Sequence, residues 1–134
     1  MQGSVDVALT LGDPLGAAVA RQAAREFMRP RAHRVGLADD VCLVISELVT
    51  NAMIHGRSDT VVRLRYVGEC LRLEVADQNS RLPVLVAPDP ESLSGRGLAL
   101  VAAVSSLWGA DRTGEGKVVW AEFDVTERRA RPGD

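Results

Sequence analysis

The chain has 134 residues, of which 46% are hydrophobic and 25% charged, a balance that suits one folded domain and excludes disorder over most of its length. Sixteen basic residues against eighteen acidic ones leave a formal net charge of -2, so the basic footprint of a nucleic-acid-binding domain is missing. The longest uncharged stretch, Gly97 to Ala110, is too short to span a bilayer, and the opening Met1-Gln2-Gly3-Ser4-Val5-Asp6 resembles no secretory signal.

In chain order, Val5 to Leu11 alternates loosely between apolar and polar residues and predicts an opening strand. Asp13-Pro14 reads as a helix start, an acidic cap followed by proline at the first helical position. The helix, Leu15 to Met28, sets Leu15, Ala18, Val19, Ala23 and Phe27 on one side and Arg21, Gln22, Arg25 and Glu26 on the other. Arg29 to Gly36 is a connection. Asp39-Asp40 opens a second helix, Val41 to His55, which Gly56 closes. Thr60 to Val67 and Cys70 to Ala76 alternate strictly about Gly68-Glu69 and predict a hairpin with one covered face. Gln78 to Ser94 has no period and contains Pro83, Pro88 and Pro90; it reads as a long loop and a candidate lid. A helix from Gly95 to Leu107 is apolar nearly all round and is expected to be deeply buried. Leu107 to Arg112 and Val118 to Val125 form a last hairpin about Thr113-Gly114-Glu115-Gly116. One α+β domain over 5–125 is expected, a two-layer sandwich of helices on one face of a mixed, largely antiparallel sheet, with 126–134 as a frayed tail. The two cysteines, Cys42 and Cys70, lack a CxxC or histidine partner and read as small buried hydrophobes.

The second helix carries the chemistry. VCLVISELVTNAMIH is apolar almost throughout, yet Glu47, Asn51 and His55 recur every four residues and lie along one stripe. Such a stripe faces either solvent or a polar ligand, because burying an unpartnered polar group costs roughly 2–7 kcal/mol. A carboxylate one turn from an amide suits metal-dependent phosphoryl chemistry. The amide oxygen is a hard, neutral ligand of the kind Mg²⁺ accepts beside phosphates, and the carboxylate can orient a hydroxyl for attack on the γ-phosphate. Downstream, Asp77 stands where the third apolar run ends, placed either as a turn residue or as an acceptor for an adenine amino group. Ser94-Gly95-Arg96-Gly97-Leu98 precedes a helix, and two glycines at a helix N-terminus let backbone N–H groups approach an anion.

Taken together, these segments resemble the anti-sigma-factor serine kinases of the GHKL ATPase superfamily, over nearly the whole chain. Glu47-Leu48-Val49-Thr50-Asn51-Ala52 looks like the N box, Asp77 like the acid of the first glycine box, Gly95-Arg96-Gly97-Leu98 like the second box, and Lys117-Val118-Val119-Trp120 like the final strand. The resemblance implies a Bergerat-type ATP-binding fold with ATP and Mg²⁺ as cofactors. It makes Glu47 the general base, Asn51 the Mg²⁺ ligand and Asp77 the adenine reader, with Asn79, Gly95, Arg96, Gly97 and Leu98 also at the nucleotide. The partners it implies are a sigma factor, a small STAS-like anti-anti-sigma protein, or both, in the cytoplasm, with a homodimer compatible; no direct nucleic-acid or membrane contact is expected. One departure stands out. The first glycine box normally reads Asp-x-Gly, whereas this chain has Asp77-Gln78-Asn79. Asparagine adopts the left-handed turn that glycine takes, but its side chain crowds the base. Two alternatives therefore accompany the kinase: a protein-binding module with weak or no nucleotide binding, and a plain structural domain.

Overall fold

In the computed structural model of the chain, residues 3–55, 59–77, 93–114 and 116–126 are described. They run β1 (Ser4–Leu9), α1 (Gly16–Met28), α2 (Leu37–His55), β2 (Thr60–Val67), β3 (Cys70–Asp77), α3 (Leu93–Val104), β4 (Leu107–Arg112) and β5 (Lys117–Asp124). The strands form one sheet in the order β1-β2-β3-β5-β4, and each described pairing is antiparallel. Because β5 is antiparallel to both β3 and β4, those two run in the same direction with β5 inserted between them. The segment containing α3 is the crossover between them. The α+β sandwich read from the sequence is the observed fold.

Alternation dictates the two faces of this sheet. Every second residue of β2, β3 and β5 is buried, which turns Leu64, Leu71, Leu73 and Phe123 toward the helices. There they join Val44, Ile45 and Leu48 of α2, none more than 2% exposed. Burying side chains of this size stabilises the fold by about 1.5–3 kcal/mol each. The other face is a charged lattice: Arg63 holds Asp6 at 2.8 Å, and Arg72 holds Glu74 at 3.0 Å and Glu122 at 2.9 Å. The exposed Arg63–Asp6 pair contributes little stability singly, while the Arg72 pairs are more shielded; together they keep the uncovered face polar.

The first helix differs from its sequence pattern. The buried stripe is Gly16, Ala20, Ala24 and Met28, while Leu15 and Val19 are 64% and 49% exposed. Small side chains let α1 lie close to its neighbours: a Cβ on Gly16 would sit 3.4 Å from Met53 Cε and 3.6 Å from Leu9 Cδ1. Nor does Asp13 cap the helix. Its Oδ1 accepts the Leu15 N–H at 2.9 Å in a preceding turn, and the helix starts at Gly16. The third helix is also less buried than its composition implies. Leu98 and Val101 are enclosed but Leu100 is 40% exposed, because α3 packs chiefly on α2 and meets the sheet mainly at the edge strand β4. Cys42 is buried and Cys70 half-buried, and neither is in a disulfide. The expected lid lies largely, and the tail beyond 126 wholly, outside the described residues.

One glycine is required by contact. Gly109 on β4 pairs with Trp120 on β5, and a Cβ there would fall 2.5 Å from the indole. The indole is held in place, since Nε1–H donates to Asp111 Oδ2 at 3.1 Å and the Arg72 guanidinium lies 4.4 Å from the ring centroid. Gly109→Ala is expected to lower stability by about 1–3 kcal/mol, read as a drop in the urea midpoint. An unchanged midpoint would mean the indole yields freely.

Candidate functional site

The site begins with α2. Val41, Val44, Ile45, Leu48, Val49 and Ala52 are all buried, which fixes the rotation of the helix on the sheet. Glu47 and Asn51 are consequently half-buried, at the margin of the buried face. Ser46 defines the opposite margin: its Oγ accepts Arg21 Nη1 from α1 at 2.8 Å and donates to the Cys42 carbonyl at 3.0 Å. A helix turns by about 100° per residue, so the Glu47–Asn51 flank faces away from α1. His55, the third member of the stripe, is the last residue of α2.

Topology brings the other segments to the same end of the sheet. The chain passes from His55 to Thr60 at the start of β2, and Val61 pairs with Ala76 near the end of β3. The end of α2 that carries Asn51 therefore lies at the end of β3 that carries Asp77, and α2 packs against both β3 and α3. Gly95, Arg96 and Gly97 fall within the first turns of α3, which starts at Leu93; the sequence pattern places the glycines ahead of the helix. Leu98 is fully enclosed in the core, so its side chain anchors α3. Asn79 lies outside the described residues.

Asp77 is where the structure departs most from expectation. The alternation that buries Leu73 and Val75 also turns Asp77 inward, leaving its side chain 1% exposed. Directly opposite in register is Lys117, the only lysine of the chain and itself just 7% exposed. Its Nζ donates to Oδ1 at 3.2 Å and forms an ion pair with Oδ2 at 3.1 Å. A lone charge here would be costly, and the two are tolerated because each neutralises the other. At the same sheet end, the buried Thr60 Oγ1 has no hydrogen-bond partner among the described residues. Sequence reasoning misses Lys117 as part of this site, although a charge at an inward strand position is the available signal.

This donor set sets limits on cofactors. Among the described residues no three His, Cys, Asp or Glu side chains are grouped to hold a metal. A Mg²⁺ held by the Asn51 amide oxygen would draw its other ligands from phosphate oxygens and water, which is how Mg²⁺ is usually bound beside nucleotides. The Glu47–Asn51 flank suits that arrangement. An adenine amino group, by contrast, would have to share a carboxylate that Lys117 already engages.

Comparison with known proteins agrees with the fold. The chain belongs to the histidine kinase-like ATPase domain family, which it matches over residues 13–123. Among solved structures it is similar to the RsbU and RsbW domains of Rv1364c from Mycobacterium tuberculosis, with a TM-score of 0.71 and 20% identity. That likeness covers 92% of this chain and 32% of the other, so this chain spans about a third of that structure's length. No curated protein matches. No described helix is long and apolar enough to cross a membrane.

Proposed function

We propose that this chain is a regulatory ATP-binding domain of the serine/threonine kinase type, similar to anti-sigma factors. In this reading it acts in the cytoplasm, phosphorylating a serine of a small STAS-like anti-anti-sigma protein, sequestering a sigma factor, or both. The observation that carries it is the Glu47–Asn51 flank: a carboxylate and an amide one turn apart and half-buried, at the margin between the buried face of α2 and its exposed Asp39–Leu43–Thr50 face. Asn51 holds Mg²⁺, and Mg²⁺ when bound neutralises charge on the β- and γ-phosphates. Glu47 orients the substrate hydroxyl and accepts its proton. The first turn of α3, up to Gly95, offers backbone N–H groups to phosphate at the positive end of the helix dipole; Gly97, one turn in, lets the ligand approach the helix closely, and Arg96 and Asn79 flank it. Asn51→Ala is expected to lower MgATP affinity about tenfold, the effect of losing one contact to a charged group. Affinity for ATP in excess chelator and the circular dichroism spectrum should stay unchanged. Wild-type protein that binds no ATP by calorimetry at millimolar ligand would overturn the reading.

A second reading is favoured by a specific contact. The buried Lys117–Asp77 pair occupies the carboxylate assigned to adenine, and Asn79 replaces the box glycine beside it. Both features suit a module that acts through protein contacts and binds nucleotide weakly or not at all.

A further inference from the structure

A concavity lies away from the candidate nucleotide site. Residues 25–34 contain four arginines and His33 against one acid, Glu26, in a chain whose net charge is -2. Arg25, Met28, Arg29, Arg31, His33 and Ala38 line a cavity of about 300 Å³. It adjoins Tyr66, which pairs with Leu71, six positions along β3 from Asp77. At a strand rise of about 3.3 Å per residue, the two places are roughly 20 Å apart.

The walls form a positive, preformed site. The Arg31 guanidinium lies 4.3 Å from the centroid of the Tyr66 ring. That ring is itself fixed, by Phe27 stacked at 5.3 Å and by a 2.7 Å hydrogen bond between its hydroxyl and His33 Nε2. A guanidinium stacked on an aromatic face keeps its in-plane N–H groups directed outward, in the fork that matches a carboxylate or phosphate edge. Arg25 is held by Asp39 at 3.0 Å, but in a pair 45% and 80% exposed, which an incoming anion displaces at little cost. Among the described residues no carboxylate pairs with Arg29 or Arg31. Ala38 is the second residue of α2, whose first turn also carries Asp39 and Asp40, so the positive helix end at this wall is offset by two carboxylates and the positive charge of the site comes from its arginines. Burial, and secondarily the Arg31 charge, hold His33 below the ordinary imidazole range, so at neutral pH it serves the Tyr66 bond without adding charge. The negative end of α1 accounts for Arg25 and Arg29 in or next to its last turn. It does not account for Arg31, which lies beyond the helix.

We propose that this cavity binds a small polyanion, a phosphoryl or polycarboxylate compound of about the size of pyrophosphate or citrate. The depression, about 300 Å³ and largely open to solvent, has room for a small anion. Arg31 and Arg29 grip the anion, and the Met28–Ala38 floor limits its size.

The test is a titration of the full chain with pyrophosphate and with citrate at low salt, following the arginine side-chain Nε signals by NMR. The Arg29 and Arg31 signals should shift saturably. Arg31→Gln should weaken binding about tenfold, and Arg31→Lys nearly as much, because lysine keeps the charge but loses the planar fork. Arg112→Gln, on β4, and Asn51→Ala should have no effect. Loss of binding in Asn51→Ala would assign the anion to the candidate nucleotide site and overturn the proposal. So would equal weakening by Arg112→Gln, absence of saturable shifts at millimolar anion, or binding confined to an oligoglutamate peptide.

Discussion

Glu47→Gln is expected to reduce phosphoryl transfer from ATP to a STAS-like acceptor by at least about 10²-fold, the lower range for a positioned base. Nucleotide affinity should stay within a few-fold, so the loss appears in kcat. Glutamine keeps the shape and the acceptor oxygen of glutamate but cannot take the hydroxyl proton. The side chain is also free to do this work: among the described residues no cation is within ion-pair distance of Glu47. Half-exposed and outside any described salt bridge, it should leave stability within about 0.5 kcal/mol of wild type when replaced. A chevron or thermal scan therefore separates chemistry from folding. Transfer rates equal to wild type would make Glu47 an ordinary residue on a wet flank and would favour the protein-binding module.

The parts of this molecule that local pattern specifies are legible in the amino-acid sequence alone. The hairpin of β2 and β3 needs only strict alternation about Gly68, whose φ of +59° is the left-handed turn conformation. The α2 stripe is equally local, because Glu47 and Asn51 are neighbours through helix geometry alone. What escapes is set by packing between elements. Hydrophobicity favours Leu15 and Val19 as the inner face of α1, but a helix that must lie against Leu9 and Met53 is chosen for small residues, and Gly16, Ala20 and Ala24 look bland in a sequence. The composition of α3 suggests full burial, yet position at the edge of the layer decides exposure, and that depends on where β4 joins the sheet. Asp77 is the instructive case. Its inward direction follows from Leu71, Leu73 and Val75, and that of Lys117 from Val119, Ala121 and Phe123. Their meeting requires the register between β3 and β5, strands that are not consecutive, and no local signal carries that.

Lys117→Met should produce the largest stability loss of any substitution at the site, and the pattern of its rescue tests what Asp77 is for. Removing one member of a buried ion pair leaves the other charge uncompensated, at a cost of about 3–5 kcal/mol. The Asp77 side chain, 1% exposed and in a close ion pair with Nζ, fits that case. The double variant Asp77→Leu/Lys117→Met should regain most of the loss, because replacing both charges by apolar groups of similar volume is close to neutral. Ligands then discriminate between the roles. If Asp77 reads the base, the single variant presents a carboxylate with its main partner removed, and an adenine amino group is the donor that satisfies it. ATP with Mg²⁺ should therefore raise the melting temperature of Lys117→Met more than that of wild type. GTP, with a carbonyl at that position, should not, since a buried acceptor left unpaired disfavours the analogue. The ATP-over-GTP preference should widen about tenfold from wild type to Lys117→Met and vanish in the double variant. Equal shifts with ATP and GTP in Lys117→Met would remove Asp77 from base recognition, leaving the pair as a purely structural tie between β3 and β5. Wild-type stability in Lys117→Met would show instead that Asp77 has other partners sufficient to hold it.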